Sequence, residues 1–255
     1  MSEKFIHSDF SDGLGTITLN RPPVNVLNIA MMEEINAVLE AWQGKKDLKL
    51  LLFNGKGKCF SAGVDVGEHM GDLAPKMIEV FHRIFRLLAK FEIPTAASVF
   101  SSCLGGGCEL AIFCDFVLAA ESAKFGQPEI KVGVFPPIAA QIMPRIIGRK
   151  AAMDLILSGR IISAREAQQL GLVNKVVKDE DLEKETGAFV KPYLNLSAEV
   201  LRVTKRATIA GLRDELEPSL QVIEEIYLNQ LMKTADAQEG LKAFMEKREP
   251  VWKNE

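Results

Sequence analysis

Residues 103–129, CLGGGCELAIFCDFVLAAESAKFGQPE, decide how the rest of the chain is read. A glycine triplet (Gly105, Gly106, Gly107) runs into an apolar helical segment whose one charge is Glu109; residues 116–120 have the character of a strand, and a second carboxylate follows at Glu129. Three consecutive glycines ahead of a helix let the backbone approach a ligand closely. They also leave the first helical N–H groups unpaired, with the positive end of the dipole facing whatever lies there. Such a place suits a developing oxyanion.

Composition narrows the classes around this stretch. The 255 residues are 47% hydrophobic and 25% charged, as in an ordinary soluble globular protein. A net charge of -3 and a pI of 5.8 supply no basic field for nucleic acid or anionic lipid, so neither is expected as a partner. The opening MSEKFIHSDF lacks the basic start and apolar core of a signal peptide, and no run approaches the roughly 18 apolar residues of a membrane span. A cytoplasmic location is expected. Cys59, Cys103, Cys108 and Cys114 form no C-x-x-C pair, and only His7, His69 and His82 could complete a metal site, which favours plain thiols over zinc or disulfides.

Outward from the glycines, the chain alternates. Residues 15–23, GTITLNRPP, predict a strand delivered into a fixed loop, and the apolar positions of 31–42 fall at helical spacing. LKLLLFNG (48–55) is too apolar for a half-exposed strand and reads as one covered on both faces. Ala62, Gly63 and Val64 make a tight turn, which taken alone is only a turn. Residues 76–90 predict an amphipathic helix, and PTAASVF (94–100) a buried strand that delivers the chain to the glycines. This is an α/β arrangement. Beyond Pro137 helices are expected to dominate, over 141–147, 150–157, 164–170, 182–193, 198–210, 216–232 and 235–247, with breaks at Pro192 and Pro218 and a stop at Gly211. The helical tail could serve as a subunit interface or as a cap over the sheet of its own chain.

FSAGVD (60–65), CLGGGCELAIFCD (103–115), AKFGQPEIKVGVFP (123–136), SGRIISAREAQQLGLVNKVV (158–177) and EGLKAFMEKREP (239–250) share order and spacing with one family. Together with LNRPPVNVLN near the start, they resemble the crotonase superfamily, the enoyl-CoA hydratase/isomerase group, over essentially the whole chain. The resemblance implies an α/β fold, a spiral of ββα units with a helical C-terminal region, assembled as a homo-trimer or a dimer of trimers. It divides the chain into an acyl-CoA-binding core, 1–195, and a helical region for oligomerisation, 196–255.

Several site residues follow from the resemblance, position by position. The N–H groups of Val64 and Gly106 would hold the thioester oxygen of an acyl-CoA substrate. Glu109 and Glu129 stand where hydratases of the family place two carboxylates; both would hold the water, Glu109 chiefly as its base and Glu129 chiefly as the acid toward carbon. Main-chain contacts to coenzyme A would come from Val24, Val26, Leu27, Ala62, Val64, Asp65 and Val66. Leu104 and Pro128 would line the acyl end, and Lys242 or Lys247 would meet a CoA phosphate. No metal and no separate cofactor is implied, since coenzyme A arrives as part of the substrate.

The sequence departs from the family where straight-chain hydratases carry a glycine-rich run. Here VFPPIAAQIMPRIIG puts Pro136, Pro137, Ile138 and Ala139 at that place, stiffening one wall of the acyl pocket. With GVDVGEHM and both Glu residues, the pattern is most similar to cyclohexa-1,5-diene-1-carbonyl-CoA hydratases of anaerobic benzoyl-CoA degradation. Their product is a 6-hydroxycyclohex-1-ene-1-carbonyl-CoA. Straight-chain hydration, enoyl-CoA isomerisation and ring-opening hydrolysis are the alternatives with the same oxyanion hole, and a crotonase-fold binding protein is the non-enzymatic one.

Overall fold

The computed structural model describes residues 4–69, 71–212, 230 and 233–255. Strands β1 (Ile6–Ser11) and β2 (Leu14–Leu19) pair antiparallel across Asp12 and Gly13, whose φ angles of 50° and 84° give the turn the twist a hairpin needs. Helix α1 (Ile29–Trp42) then leads to β3 (Leu50–Gly55), α2 (Leu73–Leu88) to β4 (Thr95–Val99), and a three-residue β5 (Ser102–Leu104) to α3 (Gly106–Phe113). After β6 (Phe116–Ala120) and β7 (Lys124–Gly126) come α4 (Pro137–Ile146), α5 (Arg149–Ser158), β8 (Ile161–Ser163), α6 (Ala164–Leu170) and β9 (Lys175–Val177). Helices α7 (Leu182–Leu194), α8 (Ala198–Gly211) and α9 (Ala235–Glu246) follow.

Two sheets result. The larger has the order β1-β2-β3-β4-β6-β9, parallel from β2 onward, and the smaller the order β5-β7-β8. Every residue of β4 is buried, and so are the first four of β3, as expected for strands covered on both faces. On one side Leu50, Leu52 and Ala96 pack with Val190 of α7, joined by Phe116, Phe189 and Tyr193. The opposite side carries the main core, where Met77, Phe81, Ile84 and Phe85 of α2 meet Met31, Met32, Ile35 and Leu39 of α1. Full burial of each such side chain contributes roughly 1.5–3 kcal/mol.

The helical reading of the second half needs three corrections. Strands β8 and β9 lie within it, each three residues long and so too short to show a period in sequence. Helix α4 starts at Pro137, four residues earlier than its apolar spacing suggested, because a proline at the first helical position gives up an N–H that would be unpaired anyway. Pro192 does not break α7, which runs through it to Leu194. The predicted helix over 216–232, with Pro218, lies outside the described residues apart from Gln230.

Helix α8 is docked on its own chain. Arg202 donates to the carbonyls of Lys45 and Lys46 at 2.8 Å each, Lys205 pairs with Asp115 at 2.6 Å, and Arg206 with Glu92 at 2.9 Å. Among the described residues no helix is long and apolar enough to cross a membrane, and no cluster of His, Cys, Asp or Glu could hold a metal ion. The four cysteines are free and buried.

Candidate active site

Two short backbone segments and two loops build the site. Leu27 bridges to Val64 in parallel, its N–H donating to Gly63 O at 2.8 Å and its O accepting from Asp65 N at 2.9 Å. Gly63 O thus points toward Leu27. Because the Gly63–Val64 peptide is trans, the Val64 N–H points to the opposite side. That side holds β5 and the start of α3, since Ser61 bridges to Cys103 and Leu104 N donates to Ser61 O at 3.0 Å. A methyl group placed on Gly63 would lie 3.9 Å from Gly106 N, so the two amides are neighbours. Gly106 is the first residue of α3, where an N–H has no helical acceptor. Neither amide has an acceptor among the described residues.

The glycines are required by crowding. At Gly106 a Cβ would sit 2.5 Å from Val64 Cγ2 and 3.0 Å from the Phe81 ring. At Gly105, with φ +51°, it would sit 2.8 Å from Glu129 Oε1. The second carboxylate therefore lies directly against the glycine that precedes the α3 amide.

Glu109 occupies the first turn of α3 and is 2% exposed. Its Oε1 accepts from Ile138 N and Ala139 N, each at 2.8 Å, the free amides that open α4. Its Oε2 takes no hydrogen bond from a described residue. Burial pushes the Glu109 pKa up to about 8; the charge of Glu129 adds to this, and the two amides oppose it. Glu129 lies in a 3₁₀ turn over Pro128–Val132, and burial raises it to about 7. Gln127, fully buried, faces both Glu129 oxygens at 3.3 Å once its amide is turned so that the nitrogen points at them. The charge of Glu129 thus bears on the ionisation of Glu109.

The other expected site residues fall around this centre with unequal freedom. Both polar main-chain atoms of Leu27 are engaged in the pairing just described, and its side chain is fully buried. Ala62 N donates to Val24 O at 2.9 Å, and Val26 O accepts from the Arg21 guanidinium at 2.9 Å. Val66 stands 62% exposed beyond Asp65, whose carboxylate lies 3.8 Å from Arg21. Leu104 and Pro128 flank the glycines and Glu129 and are half-buried. Lys247 is exposed beyond the end of α9, and the side chain of Lys242 lies outside the described residues.

Sequence reasoning missed the amides of Ile138 and Ala139, and also Asn25, Ser61 and Gln127. A signal for the first pair existed: a proline followed by an apolar helical run marks a helix start, and a helix start offers unpaired N–H groups to a carboxylate.

The enoyl-CoA hydratase/isomerase family model matches residues 9–255. A probable enoyl-CoA hydratase of Mycobacterium tuberculosis is 40% identical over 241 residues, covering 93% of each chain. A cyclohexa-1,5-dienecarbonyl-CoA hydratase of Thauera aromatica is 35% identical over 238 residues, 93% of this chain and 92% of that one. Among solved structures, an enoyl-CoA hydratase of Bacillus anthracis superposes with a TM-score of 0.94 at 32% identity, covering 99% of this chain and 100% of that one. Matched from end to end in sequence and in fold, the chain belongs to the enoyl-CoA hydratase/isomerase family and is an enzyme of the hydro-lyase kind.

Proposed function

We propose that the protein adds water across the α,β double bond of an enoyl-CoA thioester, with Glu109 and Glu129 moving the protons and the Val64 and Gly106 amides receiving the thioester oxygen. One observation carries this reading: a buried carboxylate with one oxygen fixed by two amides and the other unengaged by any described residue, beside a second raised carboxyl and two N–H groups with no acceptor among the described residues.

The reaction needs one proton on the pair, carried by Glu129, with Glu109 ionised. Two amide donors at Oε1 stabilise an ionised Glu109, while the charge of Glu129 works against it. Placing the proton on Glu129 removes that opposition and leaves Glu109 as the base. At rest burial raises Glu109, to about 8, further than Glu129, to about 7, so this arrangement belongs to the working complex with substrate bound. A proton then leaves water for Glu109, the water oxygen bonds to the β carbon, and the double-bond pair moves onto the thioester oxygen. Glu129 gives its proton to the α carbon as the carbonyl re-forms. The pair ends with one proton, as it began. Each main-chain donor at the developing oxyanion is worth about 3 kcal/mol.

A linear 2-enoyl chain is the better-supported acyl group, because the relative at 40% identity is named a probable enoyl-CoA hydratase with no ring substrate in its name. A cyclic diene is the second reading, favoured by the helix start at Pro137 beside the half-buried Ile138 and by the likeness to the Thauera enzyme at 35%. A flat, rigid ring would lose little entropy against so stiff a wall. Coenzyme A would run along Val24, Val26, Ala62, Asp65 and Val66, and residues 196–255 would contribute to a trimeric or hexameric assembly. Incubation with crotonyl-CoA and, separately, with cyclohexa-1,5-diene-1-carbonyl-CoA, with hydrated product measured by mass, decides between the acyl groups. Faster hydration of crotonyl-CoA is expected, and no hydration of either would end the proposal.

A further inference from the structure

Ser61 lies in none of the described helices or strands and is 0% exposed, yet it touches Gly63 and Gly107, the residues next to the two amides that have no acceptor among the described residues. Its hydroxyl donates to Asn25 O at 2.8 Å and accepts from Gly63 N at 3.2 Å. The direction is forced, since a carbonyl oxygen can only accept and an amide N–H can only donate. The hydroxyl therefore fixes the Ala62–Gly63 peptide, one before the peptide that carries the Val64 N–H. On its other side Ser61 meets the second glycine of α3: a Cβ on Gly107 would lie 2.4 Å from Ser61 Cβ and 2.5 Å from its Oγ. Its main chain completes the link, with Ser61 N donating to Ser102 O at 3.1 Å and Ser61 O accepting from Leu104 N at 3.0 Å.

The acceptor of its hydroxyl is itself fixed. Asn25 is fully buried in the left-handed region, with φ +50°, and its Nδ2 reaches the carbonyls of Lys56 at 2.7 Å and Cys59 at 2.9 Å. A rigid frame thus stands behind one hydroxyl, and that hydroxyl stands behind one amide.

We infer that Ser61 is a positioning residue: its hydroxyl holds the Ala62–Gly63 peptide, so that Leu27 at Gly63 O and Ser61 at Gly63 N together keep the turn that presents the Val64 amide, while its body sets the distance to α3 and the Gly106 amide. The inference rests on the reading of those two amides as the seat of the thioester oxygen. Removing the hydroxyl leaves the Gly63 N–H and the Asn25 carbonyl without their partner and lets the turn rotate. The consequence falls on the transition state, where the oxygen carries most charge, more than on substrate binding.

The test uses Ser61→Ala in the full chain, with Ser61→Cys, a similar volume and a weak hydrogen-bonding group, as the variant to use if the alanine protein does not fold. Crotonyl-CoA hydration gives kcat and KM. Isotope-edited infrared spectroscopy of bound butyryl-CoA, carrying ¹³C at the thioester carbonyl, reads polarisation of the oxygen without turnover. The wild type is expected to lower the carbonyl stretching frequency relative to free butyryl-CoA. The variant is expected to lose at least half of that shift, with kcat about tenfold lower and KM within about threefold, one buried hydrogen bond being worth that much. A variant that keeps the full shift overturns the role of Ser61 while leaving the oxyanion reading in place. A wild type with no shift overturns both.

Discussion

Two buried carboxylates in this molecule are treated in opposite ways. Asp236, in α9 and 0% exposed, has both oxygens engaged: Oδ1 accepts from Lys253 N at 2.6 Å, and Oδ2 from Asn254 N at 2.7 Å and from the Ser197 hydroxyl. Ser197 in turn caps α8 by accepting from Val200 N. Glu109, equally buried, has one oxygen held by two amides and the other taking no hydrogen bond from a described residue. A carboxylate that ties the end of the chain to a helix cap is surrounded by donors. In its proposed role of taking a proton from water, Glu109 must keep a lone pair open, and burial then raises its pKa because solvent no longer supports its charge.

The contrast is broken most directly by neutralising the open carboxylate. Glu109→Gln and Glu129→Gln are each expected to lower kcat for crotonyl-CoA hydration by about 10²–10⁴-fold, followed as loss of the conjugated thioester absorbance. The double variant should fall little further, since the two act as a unit. Near-normal turnover by either single variant would show that the two carboxyls do not share the proton work.

Asp236→Ala should behave in the reverse sense. It strips the partner from the Ser197 hydroxyl and two amides, at an expected loss of about 2–4 kcal/mol in unfolding free energy, read from the urea midpoint. Its kcat per folded molecule should match the wild type. A large fall in kcat with intact stability would erase the distinction between the two sites.

The smallest effect sharpens the comparison through pH. Glu109 has its folded pKa raised to about 8 from an ordinary 4.5, so the folded state binds the extra proton and stability falls as pH rises through that window. Below the unfolded value nothing is lost; above the folded value the loss is complete. Glu109→Gln should therefore melt higher than the wild type at pH 8, by an amount on the order of a few kcal/mol at most, with the gain fading toward pH 4.5. Thermal unfolding of the two proteins at three pH values measures it.

The two regions were also unequally legible. Residues 116–120 and 164–170 declared strand and helix to the residue, and the buried faces of α1 and α2 were written in their spacing. The edge strand β1 was not, because IHSDFS is mostly exposed and carries no apolar alternation. Strands β5, β7 and β8 are three residues each, and their pairing is decided by what lies beside them. The candidate site followed the same division. Gly106, Glu109 and Glu129 stood out by residue type and by the resemblance they carry. Ser61 and Asn25 did not, since a serine in Ser-Ala-Gly and an asparagine after two prolines have the appearance of ordinary turn residues.

Sequence alone determined which chemical groups this protein possesses: backbone free of side chains at the glycines, two carboxyls after them, and apolar faces whose period dictates helix or strand. Tertiary structure alone decided what those groups meet. The direction of the Val64 N–H follows from Leu27, 37 positions earlier, and the ionisation of Glu109 from amides near position 138. Direction and burial are properties of surroundings, and surroundings exist only once distant parts of the chain have come together.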